Sequence, residues 1–292
     1  LGFIDPSAIK PLKVVVDAAN GMGGKVVPLV FDSLPVEVIP LYFELDGTFP
    51  NHPADPIQIE NLADLRREVT ANKADLGMAF DGDADRVFLV DEKAEPVSGS
   101  LTTALVASRV LDKEPGATIV HNLICSRIVA ETIAEKGGKA VRTRVGHSFI
   151  KQVMAETRAA FGGEHSGHYY FRENFRADSG LICALILLEV LSVKRRPMSE
   201  VLAPLRRYWA SGEINSEVPG DVKEQRMKDV AEAYPEGEQD WVDGVTINFD
   251  EWWCNVRPSN TEPLLRLNLE AESEELGKAK VAEVLAIVRG TK

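Results

Sequence analysis

Three cysteines in 292 residues are too few and too scattered to build a disulfide framework. Cys125, Cys183 and Cys254 are odd in number and lack the close spacing of a zinc motif, so they read as reduced cytosolic thiols. Long apolar runs are missing as well. The most apolar stretch, Leu181 to Val193, falls short of the roughly 20 residues that span a bilayer and carries Glu189, so it reads as a buried core helix. No signal-peptide pattern is visible, and the first residue is not Met. Basic runs are absent: 33 Lys and Arg stand against 45 Asp and Glu, a net charge of −12. That balance argues against a nucleic-acid partner, which needs a basic face. The expectation is a cytoplasmic protein with neither a membrane nor a nucleic-acid partner. Nucleotide fingerprints fail too. In the turn Ala18-Ala19-Asn20-Gly21-Met22-Gly23-Gly24, a dinucleotide site would need Gly where Val26 stands, and Gly24-Lys25 is not followed by Ser or Thr. These glycines read as a structural turn.

What is present is Asp81-Gly82-Asp83-Ala84-Asp85-Arg86, three carboxylates at alternate positions. Leu76 to Phe80 before it and Val87 to Val90 after it read as buried strands, which places the acids on a tight loop. A loop can turn all three inward, and alternate positions already share one side of an extended chain. Three like charges this close repel unless a cation neutralises them. Oxygen-only ligands suit a hard divalent ion, Mg²⁺ before Ca²⁺ or Zn²⁺. A solvated acidic turn is the plain alternative. A calcium loop of the EF-hand type fails at its sixth position, where Arg86 replaces Gly, and on its flanks, which are strands.

Three further loops carry chemistry. Gly162-Gly163-Glu164-His165-Ser166-Gly167-His168 has glycines that allow close approach to a ligand. Glu164 and Ser166 can bond to adjacent hydroxyls, and His168 can shuttle a proton or hold a phosphate. His165 and His168 lack the further ligands that zinc requires. Upstream, Gly146 opens a helix on which His147 and Lys151 share a face. Arg257-Pro258-Ser259-Asn260-Thr261-Glu262-Pro263 offers an arginine fork, two hydroxyls and an amide between strands, donors suited to a phosphate dianion. A plain turn is the alternative there.

Together these loops resemble the α-D-phosphohexomutase superfamily. The resemblance implies a Mg²⁺ cofactor held by Asp81, Asp83 and Asp85, with Arg86 beside the phosphate being transferred. It implies that Glu164 and Ser166 recognise sugar hydroxyls, and that His147 and His168 lie in the reacting cleft with Lys151 nearby. Arg257, Ser259, Asn260 and Thr261 would hold the non-reacting phosphate, helped by Arg266 on the next strand. The family often has a basic residue near Leu123-Ile124-Cys125-Ser126, and here Ile124 stands in that place. The family's remaining motif is a Ser-His-Asn stretch whose serine carries the transferable phosphate, and it belongs to an N-terminal domain. No Ser-His dipeptide occurs here. The resemblance thus covers the last three of four domains and makes the N-terminal domain an expected partner. The implied activity interconverts the 6- and 1-phosphates of mannose or glucose through the phosphoserine and a bisphosphorylated sugar, and this chain alone is expected to be inactive. Members acting on glucosamine phosphate tend to have Gln at the place of His165 and Gly at the place of Asn260, which favours mannose or glucose. A non-catalytic sugar-phosphate-binding protein is the rival of another class.

Along the chain, strands and helices alternate twice and then strands cluster. The expected fold is α/β: two consecutive mixed α/β/α domains of the phosphohexomutase type, residues 1–96 and 97–207, followed by a smaller α+β domain, residues 208–292. Asp55 is expected to cap a helix with Pro56 at its first position and Gln58 completing a capping box, and with Leu62, Leu65 and Val69 as its apolar face. A strand is expected at Ala159-Ala160-Phe161.

Overall fold

Apolar strands flanked by helices assemble into three sheets. A computed structural model describes residues 1–259 and 262–291. The chain forms two compact units, residues 1–142 with 146–205, and residues 143–145 with 206–292.

The first unit opens with β1 (Leu12–Asp17), α1 (Gly23–Phe31), β2 (Val36–Leu41), α2 (Ala63–Asn72), β3 (Leu76–Phe80), β4 (Val87–Asp91) and β5 (Pro96–Val97). Their sheet has the order β2-β1-β3-β4-β5. β1 is parallel to β2 and β3, whereas β3/β4 and β4/β5 are antiparallel. β3 and β4 are buried along their whole length, which is why they read as continuous apolar runs and not as alternating ones. Leu62, Leu65 and Val69 pack against Val15, Ala79 and Val90 as their spacing predicts. The helix itself starts later than expected. A 3₁₀ turn over Ile59–Leu62 leads into α2, whose N-cap has no side-chain bond. The Asp55 carboxylate instead accepts from Arg86 Nη1 at 3.3 Å, so an ion pair within the acidic loop's surroundings takes the place of the cap.

The second sheet is built from α3 (Gly99–Lys113), β6 (Thr118–Asn122), α4 (Arg127–Glu135), β7 (Lys139–Thr143), α5 (His147–Thr157), β8 (Phe161–Gly163), β9 (Tyr169–Phe171), α6 (Gly180–Lys194) and α7 (Met198–Leu202). Its order is β7-β6-β8-β9. The strand expected at Ala159 begins at Phe161, because Arg158 adopts the left-handed conformation and the chain is still turning. Ser126 and Ser179 cap α4 and α6. Helix α6 is apolar on nearly all sides and buried. Its one acid, Glu189, is fully buried and paired with Arg109 at 2.9 Å and Lys113 at 2.8 Å. A buried carboxylate persists only with such partners.

The second unit contains β10 (Trp209–Glu217), α8 (Lys223–Ala233), β11 (Glu238–Asp240), β12 (Val245–Asn248), β13 (Trp252–Pro258), β14 (Leu264–Ala271) and α9 (Glu274–Arg289). Its antiparallel sheet has the order β10-β14-β13-β12-β11. Val230, Ile247, Cys254, Val256, Leu267 and Val284 lie in its core. The architecture is the expected α/β, α/β, α+β succession. Among the described residues, no helix is long and apolar enough to cross a membrane.

Candidate metal and phosphate sites

The acidic loop joins β3 to β4, with Phe80 and Val87 paired at its base. Ala84 turns the loop by adopting a left-handed φ of 65°. Ligand atoms of Asp81, Asp83 and Asp85 lie within 4.8 Å of one another. Asp81 is buried and accepts from the Arg86 backbone N–H at 3.1 Å and from Arg86 Nε at 2.7 Å. Asp85 Oδ1 is buried without a hydrogen-bond partner. Burial, followed by the charge of Asp81, raises the Asp85 pKa to about 6. An orphaned carboxylate oxygen among like charges is what a hard divalent cation would relieve, and the all-oxygen donor set fits one.

The loop between β8 and β9 lies beside it. The backbones of Arg86 and His168 form an antiparallel bridge. His168 Nδ1 bonds to Asp178 Oδ2 at 2.8 Å and stands 3.7 Å from Asp85 Oδ1. Lys151 Nζ is 3.2 Å from Asp178 Oδ1 and 5.5 Å from the Tyr170 ring centre. Burial lowers the His168 pKa, but the bond to Asp178 and the charge of Asp85 outweigh it and leave the imidazole above its ordinary value. Burial raises the Asp178 pKa, but the bonds to His168 and Lys151 prevail and take it down to about 2. Asp85, His168 and Asp178 form a second cluster of possible ligands. The three-aspartate group offers oxygen ligands alone and so is the better site for a hard cation. Asp178 carries little signal in the sequence. Its only mark there is an acid next to the Ser179 cap of α6.

Glu164 is 2% exposed, and its carboxylate is already engaged. Tyr170 Oη donates at 2.6 Å, Asn122 Nδ2 at 3.0 Å and the Gly146 N–H at 3.2 Å. A carboxylate offers about four acceptor positions, so little beyond one remains for a ligand. Glu164 therefore ties the start of α5 to this loop. His147, the first residue of α5, is exposed, and Ser166 is half-buried. His165 Nδ1 bonds to Ser100 Oγ at 3.0 Å. Ile124 is buried and supplies no charge.

In the second unit, Arg257 and Arg266 stand opposite each other across β13 and β14. Glu213 on β10 accepts from Arg257 Nη2 at 2.8 Å and from Arg266 Nη1 at 3.0 Å. Arg266 Nη2 also donates to Ser259 Oγ at 3.3 Å. Both arginine Nε atoms are buried without a hydrogen-bond partner. Asn260 and Thr261 lie outside the described residues. Glu213 has no local signal, because β10 has mixed burial and no apolar alternation.

Family models describe the same chain. Those for phosphoglucomutase/phosphomannomutase match as α/β/α domain II over residues 3–95, α/β/α domain III over residues 98–208 and the C-terminal domain over residues 213–287. A phosphohexose mutase of Xanthomonas campestris pv. campestris is 38% identical over 99% of this chain and 65% of its own length. A phosphomannomutase/phosphoglucomutase of Pseudomonas aeruginosa is 41% identical over 93% of this chain and 59% of its own. The chain thus spans about two thirds or less of these curated relatives. A crystal structure of a phosphoglucomutase/phosphomannomutase family protein from Burkholderia thailandensis superposes with a TM-score of 0.87 at 32% identity, covering 97% of this chain and 62% of that one. With all three models matched in order, the chain belongs to the phosphoglucomutase/phosphomannomutase family.

Proposed function

We propose that these residues form the metal, sugar and phosphate-binding part of a phosphohexomutase that interconverts hexose 6- and 1-phosphates. The observation that carries the reading is the three-aspartate loop, with its orphaned Asp85 Oδ1, bridged through Arg86 to His168. Mg²⁺ bound by Asp81, Asp83 and Asp85 would supply charge neutralisation to the transferring phosphoryl group. Arg86, oriented by Asp81 and Asp55, adds a fixed positive charge next to it. His168, held by Asp178 at 2.8 Å, would exchange a proton with the reacting sugar hydroxyl. Arg257, Ser259 and Arg266, with Asn260 and Thr261, hold the phosphate that does not react.

The phosphoryl donor is a serine outside these residues, on the N-terminal domain that the family supplies. It passes its phosphate to the free hydroxyl and gives a bisphosphorylated sugar. That sugar turns over and returns its other phosphate to the serine. On this reading the chain alone binds but does not turn over. His165 and Asn260 favour mannose or glucose over glucosamine phosphates. Three free, buried cysteines support a reducing, cytoplasmic setting. Calorimetry of the chain with glucose 1,6-bisphosphate and saturating Mg²⁺ tests the proposal. Saturable binding that Arg257→Ala weakens supports it, and no detectable binding to the unsubstituted chain overturns it.

A further inference from the structure

We propose that Gly21 and Gly180 are positioning residues for the acidic loop. They let two rigid backbone segments close on its carbonyls, and so fix how Asp81, Asp83 and Asp85 meet a divalent cation. The proposal rests on the metal reading above and names what holds that site in shape.

A six-residue hairpin loop turned by a left-handed alanine has little of its own to hold three carboxylates in register. The restraint comes from outside. After β1 the chain turns through Gly21, where an added Cβ would stand 2.6 Å from Gly82 O and 2.9 Å from Gly82 Cα. The next residue, Met22, donates its N–H to Gly82 O at 2.9 Å. Gly82 lies between the first two aspartates. At the loop's other end, a Cβ on Gly180 would stand 2.6 Å from Arg86 O and 3.1 Å from Ala84 O. Those two carbonyls flank Asp85. All these contacts are with backbone, so no side chain can swing aside to make room for a methyl group.

What must yield follows from how each segment is tied down. Gly180 begins α6, a 15-residue helix buried along most of its length. The turn before Gly21 is fastened by Asn20, whose N–H bonds to Tyr42 O at 2.9 Å and whose Nδ2 bonds to Glu44 O at 2.8 Å. Asn20 Oδ1 also accepts from Asn51 Nδ2 at 2.7 Å. An inserted methyl therefore displaces the acidic loop and leaves its frame in place. A shift at Gly82 moves Asp81 and Asp83, and a shift at Ala84 or Arg86 moves Asp85. Ligand distances at such sites tolerate only about 0.2 Å.

The test is Mn²⁺ binding to the 292-residue chain, read by electron paramagnetic resonance, with thermal melting of each variant alongside. Gly21→Ala and Gly180→Ala should each weaken Mn²⁺ binding by about 10- to 100-fold, the range seen when groups that orient metal ligands are altered. Gly138→Ala is the control. Its Cβ would meet only side chains, Leu111 Cδ2 at 2.6 Å and Ile133 Cγ2 at 3.0 Å. It should lower the melting temperature without moving the Mn²⁺ affinity. Asn51→Ala is the gentler probe, because it adds no atom near the loop and removes only the Nδ2 bond to Asn20 Oδ1 that fastens the turn before Gly21. It should weaken Mn²⁺ binding with the fold intact, and it decides the question if the alanine variants do not fold. Wild-type affinity in the folded variants, or an equal loss in Gly138→Ala, overturns the proposal. Absence of saturable Mn²⁺ binding to the unsubstituted chain brings down the metal reading itself, and this proposal with it.

Discussion

Replacing Arg257 with Ala removes one half of a paired cation in the second unit. Arg257 and Arg266 share Glu213 at 2.8 and 3.0 Å, and Arg266 also meets Glu262 at 3.2 Å, so the cluster carries a net charge of 2 − 2 = 0. Arg257→Ala takes that to −1 and deletes a guanidinium fork. A hydrogen bond to a charged group contributes about 1.5–3 kcal/mol. At about 1.4 kcal/mol per tenfold, the variant should bind glucose 1-phosphate about 10- to 150-fold more weakly. Arg257→Lys keeps the charge but loses the fork, and should fall between the two. The double variant Arg257→Ala/Glu213→Gln restores the charge to 0 without the fork, and should regain part of the loss. Calorimetric titration at one fixed ionic strength is the assay, because salt screens the charge contribution. Wild-type affinity in Arg257→Ala, or a double variant no better than the single one, would refute the reasoning.

Asp178→Ala breaks the bonds to His168 and Lys151. Lys151 is the more exposed partner and contributes less, so urea unfolding of the chain should show a loss of about 2 kcal/mol, and an unchanged midpoint would show that the trio is not held together. Asp85→Asn removes one of three crowded charges. The metal-free variant should melt at or above the temperature of the unsubstituted chain while losing Mn²⁺ binding, and retained binding would exclude Asp85 as a ligand. The bond to Asp17, 3.0 Å away, raises the His52 pKa. A raised histidine stabilises the fold fully below its ordinary value of about 6.5, and that contribution is lost as pH rises through the folded value. Unfolding free energy should therefore fall as pH rises above about 6.5, with a shallower slope in His52→Gln, and parallel slopes would contradict the assignment.

The acidic loop could be read from sequence because its information is local: three acids at alternate positions between two strands buried on both faces. The same holds for Leu62, Leu65 and Val69, whose spacing alone sets the apolar face of α2. Features that depend on distant residues were not legible. Asp55 has every local mark of a cap, yet Arg86, 31 residues on, takes its carboxylate. Strand β10 is an edge with mixed burial and no apolar alternation, so it and Glu213 passed unmarked. Glu164 reads from its loop as an acceptor for hydroxyls, but nothing in the local sequence shows that Asn122, Gly146 and Tyr170 also bond to its carboxylate. Gly21 and Gly180 act through backbone contacts, which leave no periodic pattern.

The most direct test of the mutase reading is turnover. The chain should be joined to the part of the Pseudomonas aeruginosa relative that it does not match and assayed with mannose 1-phosphate and glucose 1-phosphate, Mg²⁺ and an activating bisphosphate. The chain alone is the comparison. The account predicts Mg²⁺-dependent formation of the 6-phosphate by the joined protein, its loss in Asp83→Asn, and none by the chain alone. Turnover by the chain alone at the rate of the joined protein would contradict it, because the phosphoryl donor would then lie within these 292 residues.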